Sequence, residues 1–257
     1  MSTFLFHDLI FGPIKSRRLG NSLGINLLPT TRKYCNFNCV YCECGANLDG
    51  EKIILPTRAE IRESLIKKLS QLSTDNQEVN SITFAGNGEP TIHPEFVGVI
   101  NDTIEARNKY FPTAKVSVLS NATMISRPQI VEALKLADMA ILKLDSAIDA
   151  TVKALNRPTT KYSVSETVNL LKAFNGNFIL QTMFLEGNVN GVHINNMTNH
   201  ELTAWLKVVD ELKPSLVMIY TINRDTPEQD LRKATHNELE NIKNEILKLG
   251  IKVQVSE

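Results

Sequence analysis

Cys35, Cys39 and Cys42 lie in the run Tyr34-Cys35-Asn36-Phe37-Asn38-Cys39-Val40-Tyr41-Cys42, a Cys-x3-Cys-x2-Cys spacing. Three thiolates on so short a loop can converge on one soft metal centre, and thiolate ligation selects iron–sulfur clusters or zinc. A four-iron cube needs a ligand on each iron, so three cysteines leave one iron open to chemistry. Structural zinc usually takes four ligands in two separated pairs, and no second Cys or His pair follows here. Cys44 forms a Cys-x-Cys with Cys42, so a four-thiolate zinc or closed cluster on this loop stays open, at the cost of crowding its ligands. A disulfide scaffold suits a chain of 257 residues with four cysteines poorly.

Other polar groups fall at the ends of apolar runs. In Phe84-Ala85-Gly86-Asn87-Gly88-Glu89-Pro90-Thr91 the glycines let backbone approach a ligand closely and expose its carbonyls. Ser120 and Asn121, in Leu119-Ser120-Asn121-Ala122-Thr123, suit hydroxyls and a carboxylate, or a turn with an N-cap. Strand alternation puts Lys143 and Asp145 on one face, opposite Leu142 and Leu144. A buried lysine is costly unless paired or bound to a ligand. Lys143 has three readings: a ligand contact, a Schiff-base amine of lowered pKa, or the partner of Asp145. The run Val217–Arg224 ends in Tyr220 and Arg224, and Arg224 is either a clamp for carboxylate or phosphate or a surface arginine. Arg17 and Arg18, among the glycines and serines of Gly12–Gly24, can form an anion-binding concavity.

The elements that must position these residues alternate. Strands are predicted over Gly24–Leu28, Ser81–Ala85, Lys115–Ser120, Met139–Leu144, Phe178–Leu185, Leu216–Ile222 and Lys252–Val255. Helical patterns fill Arg58–Gln71, Pro94–Lys109, Arg127–Leu136, Ser163–Phe174, Asn199–Leu212 and Asn237–Leu249. Thr57 before Arg58-Ala59-Glu60 reads as a capping box and Gly250 as a helix stop. Strict βα alternation implies an α/β fold with parallel strands and right-handed crossovers. Ligands in such folds gather at the carboxyl ends of the strands, where the polar runs lie.

With the cysteine spacing and the glycine–glutamate turn, the chain resembles the radical S-adenosylmethionine (SAM) superfamily along nearly its whole length. The resemblance implies a partial (β/α)6 barrel with mostly parallel strands, one core domain over 1–257 in which 1–23 extends a barrel of 24–257. It implies a [4Fe–4S] cluster held by Cys35, Cys39 and Cys42, with Phe37 and Val40 shielding it. SAM is expected near Tyr41, the Gly86-Asn87-Gly88-Glu89 turn, Ser120, Asn121, Lys143, Asp145 and Gln181. Lys143, Tyr220 and Arg224 are the expected catalytic or substrate-contacting residues. The implied reaction is reductive cleavage of SAM to a 5′-deoxyadenosyl radical that abstracts hydrogen from substrate, with electrons from an external donor such as flavodoxin or ferredoxin. The N-terminal Ser-Arg-Arg-Leu-Gly stretch, Cys-x3-Cys-x-Tyr-Cys-x-Cys-Gly and Tyr220–Pro227 resemble a branch of iron–sulfur oxidoreductases grouped loosely with wyosine-type tRNA enzymes.

Composition narrows the partners. Lysine plus arginine equals aspartate plus glutamate, 28 of each, so there is no global pull toward nucleic acid or acidic lipid. A local basic groove would still serve RNA. The start lacks a basic segment followed by a long apolar one, nothing is long enough to span a membrane, and the clustered cysteines suit a reducing cytoplasm. The resemblance implies three candidate substrate classes: a small molecule or nucleotide, which neutral charge favours, a tRNA base, or a partner on which an activase installs a glycyl radical. His7, His93, His193, His200 and His236 do not cluster and read as structural or surface residues.

Overall fold

The alternation of β-rich and amphipathic runs folds into a curled, mostly parallel sheet with helices on its outer face. The computed structural model describes residues 4–48 and 53–257. Strands are β1 (Ile10–Ser16), β2 (Gly20–Ile25), β3 (Ser81–Phe84), β4 (Lys115–Ser120), β5 (Met139–Lys143), β6 (Ile179–Met183), β7 (Leu185–Val189), β8 (Val192–Asn195), β9 (Leu216–Tyr220), β10 (Leu231–Lys233) and β11 (Val253–Ser256). Helices are α1 (Arg58–Thr74), α2 (Phe96–Tyr110), α3 (Pro128–Leu136), α4 (Asp149–Asn156), α5 (Val164–Leu171), α6 (Asn199–Leu212) and α7 (His236–Lys248). The main sheet runs β1-β2-β3-β4-β5-β6-β9-β11, parallel from β2 onward. This is the partial barrel expected from the sequence.

Core residues follow the expected periodicities. Ile61, Leu65, Leu69 and Leu72 form the buried stripe of α1, and Trp205, Val209 and Leu212 that of α6. They join one apolar cluster that runs from Leu23 to Ile251 between the sheet and its helices. On the opposite, inner face, Ile141, Ile179 and Met218 pack together with Leu19 and Leu119. Two residues further along the same strands, Lys143, Gln181 and Tyr220 project at the carboxyl ends. The apolar layer thus forms a floor, and polar side chains stand above it. Thr57 and Glu60 form the predicted capping box, and Gly250 carries a positive φ of 74° after α7.

Three differences from the predicted elements bear on the site. Residues 10–25 form an antiparallel β1–β2 hairpin on the edge of the sheet, with an irregular register between Phe11 and Ile14, around Pro13, which has no N–H to give. The predicted strand Phe178–Leu185 breaks after Met183, and Leu185 begins a second sheet, β10-β7-β8. The buried Asn196 side chain causes the break: it accepts from Leu185 N at 3.0 Å and donates to the carbonyls of Met183 at 2.7 Å and Asp145 at 2.8 Å. The β7–β8 turn is Asn190-Gly191, both at positive φ, which is a hairpin signal. Finally, α4 was absent from the predicted elements, and its C-terminal end anchors the cysteine loop.

Candidate active site

The cysteine loop is pinned on both sides. Tyr34 N donates to Asn87 O at 2.8 Å and Glu89 N to Tyr34 O at 3.2 Å, tying the loop to the glycine turn after β3. Asn38 N bonds Asn156 O at 3.0 Å and Val40 N bonds Leu155 O at 2.9 Å, tying it to the end of α4. Asn47 closes the base, accepting from Cys35 N at 3.1 Å and donating to Cys35 O at 2.7 Å. Cys35, Cys39, Cys42 and Cys44 all border one inner chamber of about 180 Å³.

The thiols differ in environment. Burial pushes the Cys35 thiol up to about 12, and burial also raises Cys39. Asn121 Nδ2 lies 3.5 Å from Cys35 Sγ and Asn156 Nδ2 lies 3.4 Å from Cys39 Sγ, both placed to donate to sulfur. The neighbouring Cys44 thiol draws Cys42 below the usual thiol value, and Cys44 is raised by that same contact and by burial. The Cys44 thiol donates to Gly86 O at 3.6 Å. The buried Lys33 ammonium borders the chamber and holds the loop through Gly45 O at 2.8 Å.

The glycine turn forms another wall. Gly86 and Gly88 have φ of +141° and +140°, and a Cβ on Gly88 would stand 1.9 Å from Tyr34 O. Glu89 is buried and fully engaged, accepting from Thr91 N at 3.0 Å, Ser120 Oγ at 2.9 Å and Asn121 N at 2.6 Å. It clips the end of β4 to the turn. Burial raises its pKa against these donors. The Asn87 side chain lies outside the chamber and binds Phe6 N at 2.9 Å, Phe6 O at 2.8 Å and Pro29 O at 2.9 Å. Its own carbonyl is taken by Tyr34 N. Asn87 therefore fastens the N-terminal segment to the turn.

The far wall is a polar network. Lys143 Nζ donates to Tyr41 OH at 2.7 Å, to Tyr220 OH at 3.2 Å and to both Asp145 oxygens at 3.3 Å. Asp145 also accepts from Tyr41 OH, from Asn156 Nδ2 at 2.7 Å and from Met183 N at 2.9 Å. Burial opposes the charge on Lys143, but the Asp145 carboxylate outweighs it and holds the amine as an ammonium. A Schiff base needs the neutral amine, so this pairing favours the ion-pair reading of Lys143. Gln181 is 6% exposed, and its Nε2 is buried without a hydrogen-bond partner among the described residues. Both Lys143 and Gln181 border the inner chamber.

An outer chamber of about 480 Å³ adjoins the first. The two share Cys44, Gly86, Gly88 and Leu119 as lining. Arg224 lies on the outer one, not beside the cysteines, and pairs with Glu43 at 2.6 Å. Arg17 and Arg18 border it from the turn between β1 and β2.

The donor set fits a thiolate-bound cluster with an organic cofactor beside it. Among the described residues no three His, Cys, Asp or Glu side chains gather tightly enough for a single metal ion. Ligation of a cluster, one thiol per iron, is compatible with thiols spread around a chamber. The orphaned Gln181 Nε2 at the chamber wall suits a polar guest. Sequence reasoning brought Cys35, Cys39, Cys42, Tyr41, Gly86, Gly88, Glu89, Ser120, Asn121, Lys143, Gln181 and Tyr220 to this chamber's lining, with Asp145 behind it. It missed Lys33 and Asn156. Lys33, two residues before Cys35, carried a local signal; Asn156 carried none, being 117 residues from its sulfur.

A family model described as the Radical SAM superfamily matches residues 31–188. A UPF0026 protein from Synechocystis sp. is 34% identical over 185 residues, covering 69% of this chain and 64% of that protein. A protein named GTPase Obg from Brachyspira hyodysenteriae is 29% identical over 238 residues, 91% of this chain and 33% of that protein. The chain thus spans between a third and two thirds of the length of these curated relatives. The crystal structure of a radical SAM methyltransferase from Sphaerobacter thermophilus shares the fold, with a TM-score of 0.67 at 12% identity over 91% of this chain and 65% of that one. From the three-cysteine loop, the partial barrel and the match over more than half its length, the chain belongs to the radical SAM superfamily.

Proposed function

We propose that this protein cleaves SAM reductively and directs the resulting 5′-deoxyadenosyl radical to a hydrogen atom of a small-molecule or nucleotide substrate. Members of the superfamily are enzymes that use a [4Fe–4S] cluster and SAM. Bound together, those two groups supply the radical chemistry; the chain supplies ligands, orientation and exclusion of water. Cys35, Cys39 and Cys42 are the proposed cluster ligands. Gly86, Gly88, Ser120, Asn121 and Gln181 are the proposed SAM contacts. The Lys143–Asp145–Tyr41 network holds the far wall rigid, because each polar atom in it has a partner from another element. Phe37 and Val40 are buried against the loop and keep water from the thiols.

The observation that carries this reading is that the two chambers share Cys44, Gly86, Gly88 and Leu119 as lining. A guest in the outer one would lie against residues that also line the inner one. The electron donor is proposed to be an external flavodoxin- or ferredoxin-type protein.

The test is anaerobic reconstitution with iron and sulfide, reduction in the presence of SAM, and quantification of 5′-deoxyadenosine. The wild-type protein should form it and Cys35→Ala should not. Intact SAM in a fully reconstituted, reduced sample would sink the catalytic reading.

A further inference from the structure

The outer chamber carries an excess of cations. Lys15, Arg17, Arg18 and Arg224 border it, against one carboxylate, Glu43. The whole chain is neutral by count, so this excess is local. Burial first, and then the charges of Arg18 and Arg224, lower the pKa of Arg17.

Arg18 is fixed in place. Its guanidinium lies 4.6 Å from the centroid of the Tyr220 ring, and its Nη1 is buried with no hydrogen-bond partner among the described residues. Ser16 Oγ orders the turn, accepting from Arg18 N at 3.3 Å and Leu19 N at 3.2 Å. A planar guanidinium with an unspent N–H, held by stacking, is arranged to grip an oxyanion. Arg224 is engaged by Glu43, whose neighbours on either side are Cys42 and Cys44. The chamber has an apolar side as well: the Phe6 and Phe11 rings stack with centroids 3.6 Å apart. Its volume falls within the ~300–1,000 Å³ typical of small-molecule sites.

Four cations against one carboxylate leave an excess that a neutral or singly charged guest would not balance. We propose that the outer chamber binds a phosphate-bearing small molecule, the substrate, with Arg18 as the standing anion ligand, Arg17 beside it, and Arg224 recruited from Glu43 when the anion enters. This assignment rests on the function proposed above and names its substrate class. Arg18 also joins the two chambers, because the Tyr220 ring it covers carries the hydroxyl that accepts from Lys143.

The test is calorimetric titration of pyrophosphate into the full chain, cluster-reconstituted and loaded with SAM, at low and at physiological ionic strength. One site per chain is expected, with affinity falling as salt rises. Arg18→Gln should weaken binding at least tenfold, and Glu43→Gln should strengthen it by removing the competing carboxylate. Lys67→Gln, on the outer face of α1, should change nothing. The proposal is overturned if pyrophosphate does not bind, if Arg18→Gln and Glu43→Gln leave its affinity unchanged, or if Arg18→Gln loosens SAM instead. Binding of tRNA without binding of pyrophosphate also overturns it. Turnover is not the readout here, so absence of 5′-deoxyadenosine with normal pyrophosphate binding would count against the radical chemistry alone.

Discussion

Asp145 shows how much one buried charge can organise. Its side chain is fully buried, yet its oxygens meet an ammonium, a phenol, an amide and a backbone N–H from four parts of the chain. Removing the ammonium leaves a buried carboxylate with only neutral donors. Lys143→Met is therefore expected to cost about 3–5 kcal/mol in stability, read by urea unfolding. Adding Asp145→Asn to that variant should recover part of the loss, since the amide carries no charge to desolvate. Equal instability of the single and double variants would show that geometry, not charge, is what matters there.

At the level of elements, the cysteine loop is held by the glycine turn on one side and α4 on the other. Gly88→Ala brings a Cβ against the Tyr34 carbonyl, at a φ that L residues rarely adopt, so the loop must shift. The expected outcome is loss of cluster incorporation, measured as iron content after reconstitution, in a protein that keeps its helical circular dichroism. A second prediction concerns the start of α7. Arg232 holds Glu238 down to about 2. A lowered carboxyl pKa gives stability that is complete above the ordinary value near 4.5 and is lost as pH falls toward 2. Glu238→Gln should flatten the fall in Tm over that window, and an unchanged slope would count against the pairing. Because both groups are partly exposed, the effect should shrink in high salt.

One large apolar cluster organises most of the molecule. Trp205, the single tryptophan, is buried, edge-on to Phe184 at 5.3 Å, and donates to Leu144 O at 3.3 Å. It therefore senses the packing of α6 against the centre of the sheet. Since the same apolar cluster spans nearly all strands and helices, unfolding followed by Trp205 fluorescence and by far-ultraviolet circular dichroism should coincide. Two separated transitions would reveal that the β1–β2 hairpin or the small second sheet melts on its own. At the other end of the sheet, Arg17 reaches the backbone oxygen of Glu257 and Gln254 Nε2 lies 3.5 Å from Arg18 O. The turn that carries the two arginines is thus braced against the last strand, across the open side of the barrel. Among the described residues no helix is long and apolar enough to cross a membrane.

The division between what was legible and what was not follows the range of the interactions. Cysteine spacing, glycine turns, caps and βα alternation are local, so residues within a few positions of each other were enough to read the three-thiol loop and the barrel class. The parallel order of strands followed from that alternation, because crossovers are right-handed and short. Tertiary structure alone decided the rest. The break between β6 and β7 depends on Asn196, whose side chain replaces ladder partners from 11 residues away. Asn156 meets Cys39 from across the fold, and Asn87 turns from the chamber because Phe6 and Pro29 offer it a full set of bonds. The cationic chamber needed three separate segments, the β1–β2 turn, the cysteine loop and the end of β9, to meet at one mouth. Local propensity determines which elements form; only the closing of the sheet determines which distant side chains share a cavity.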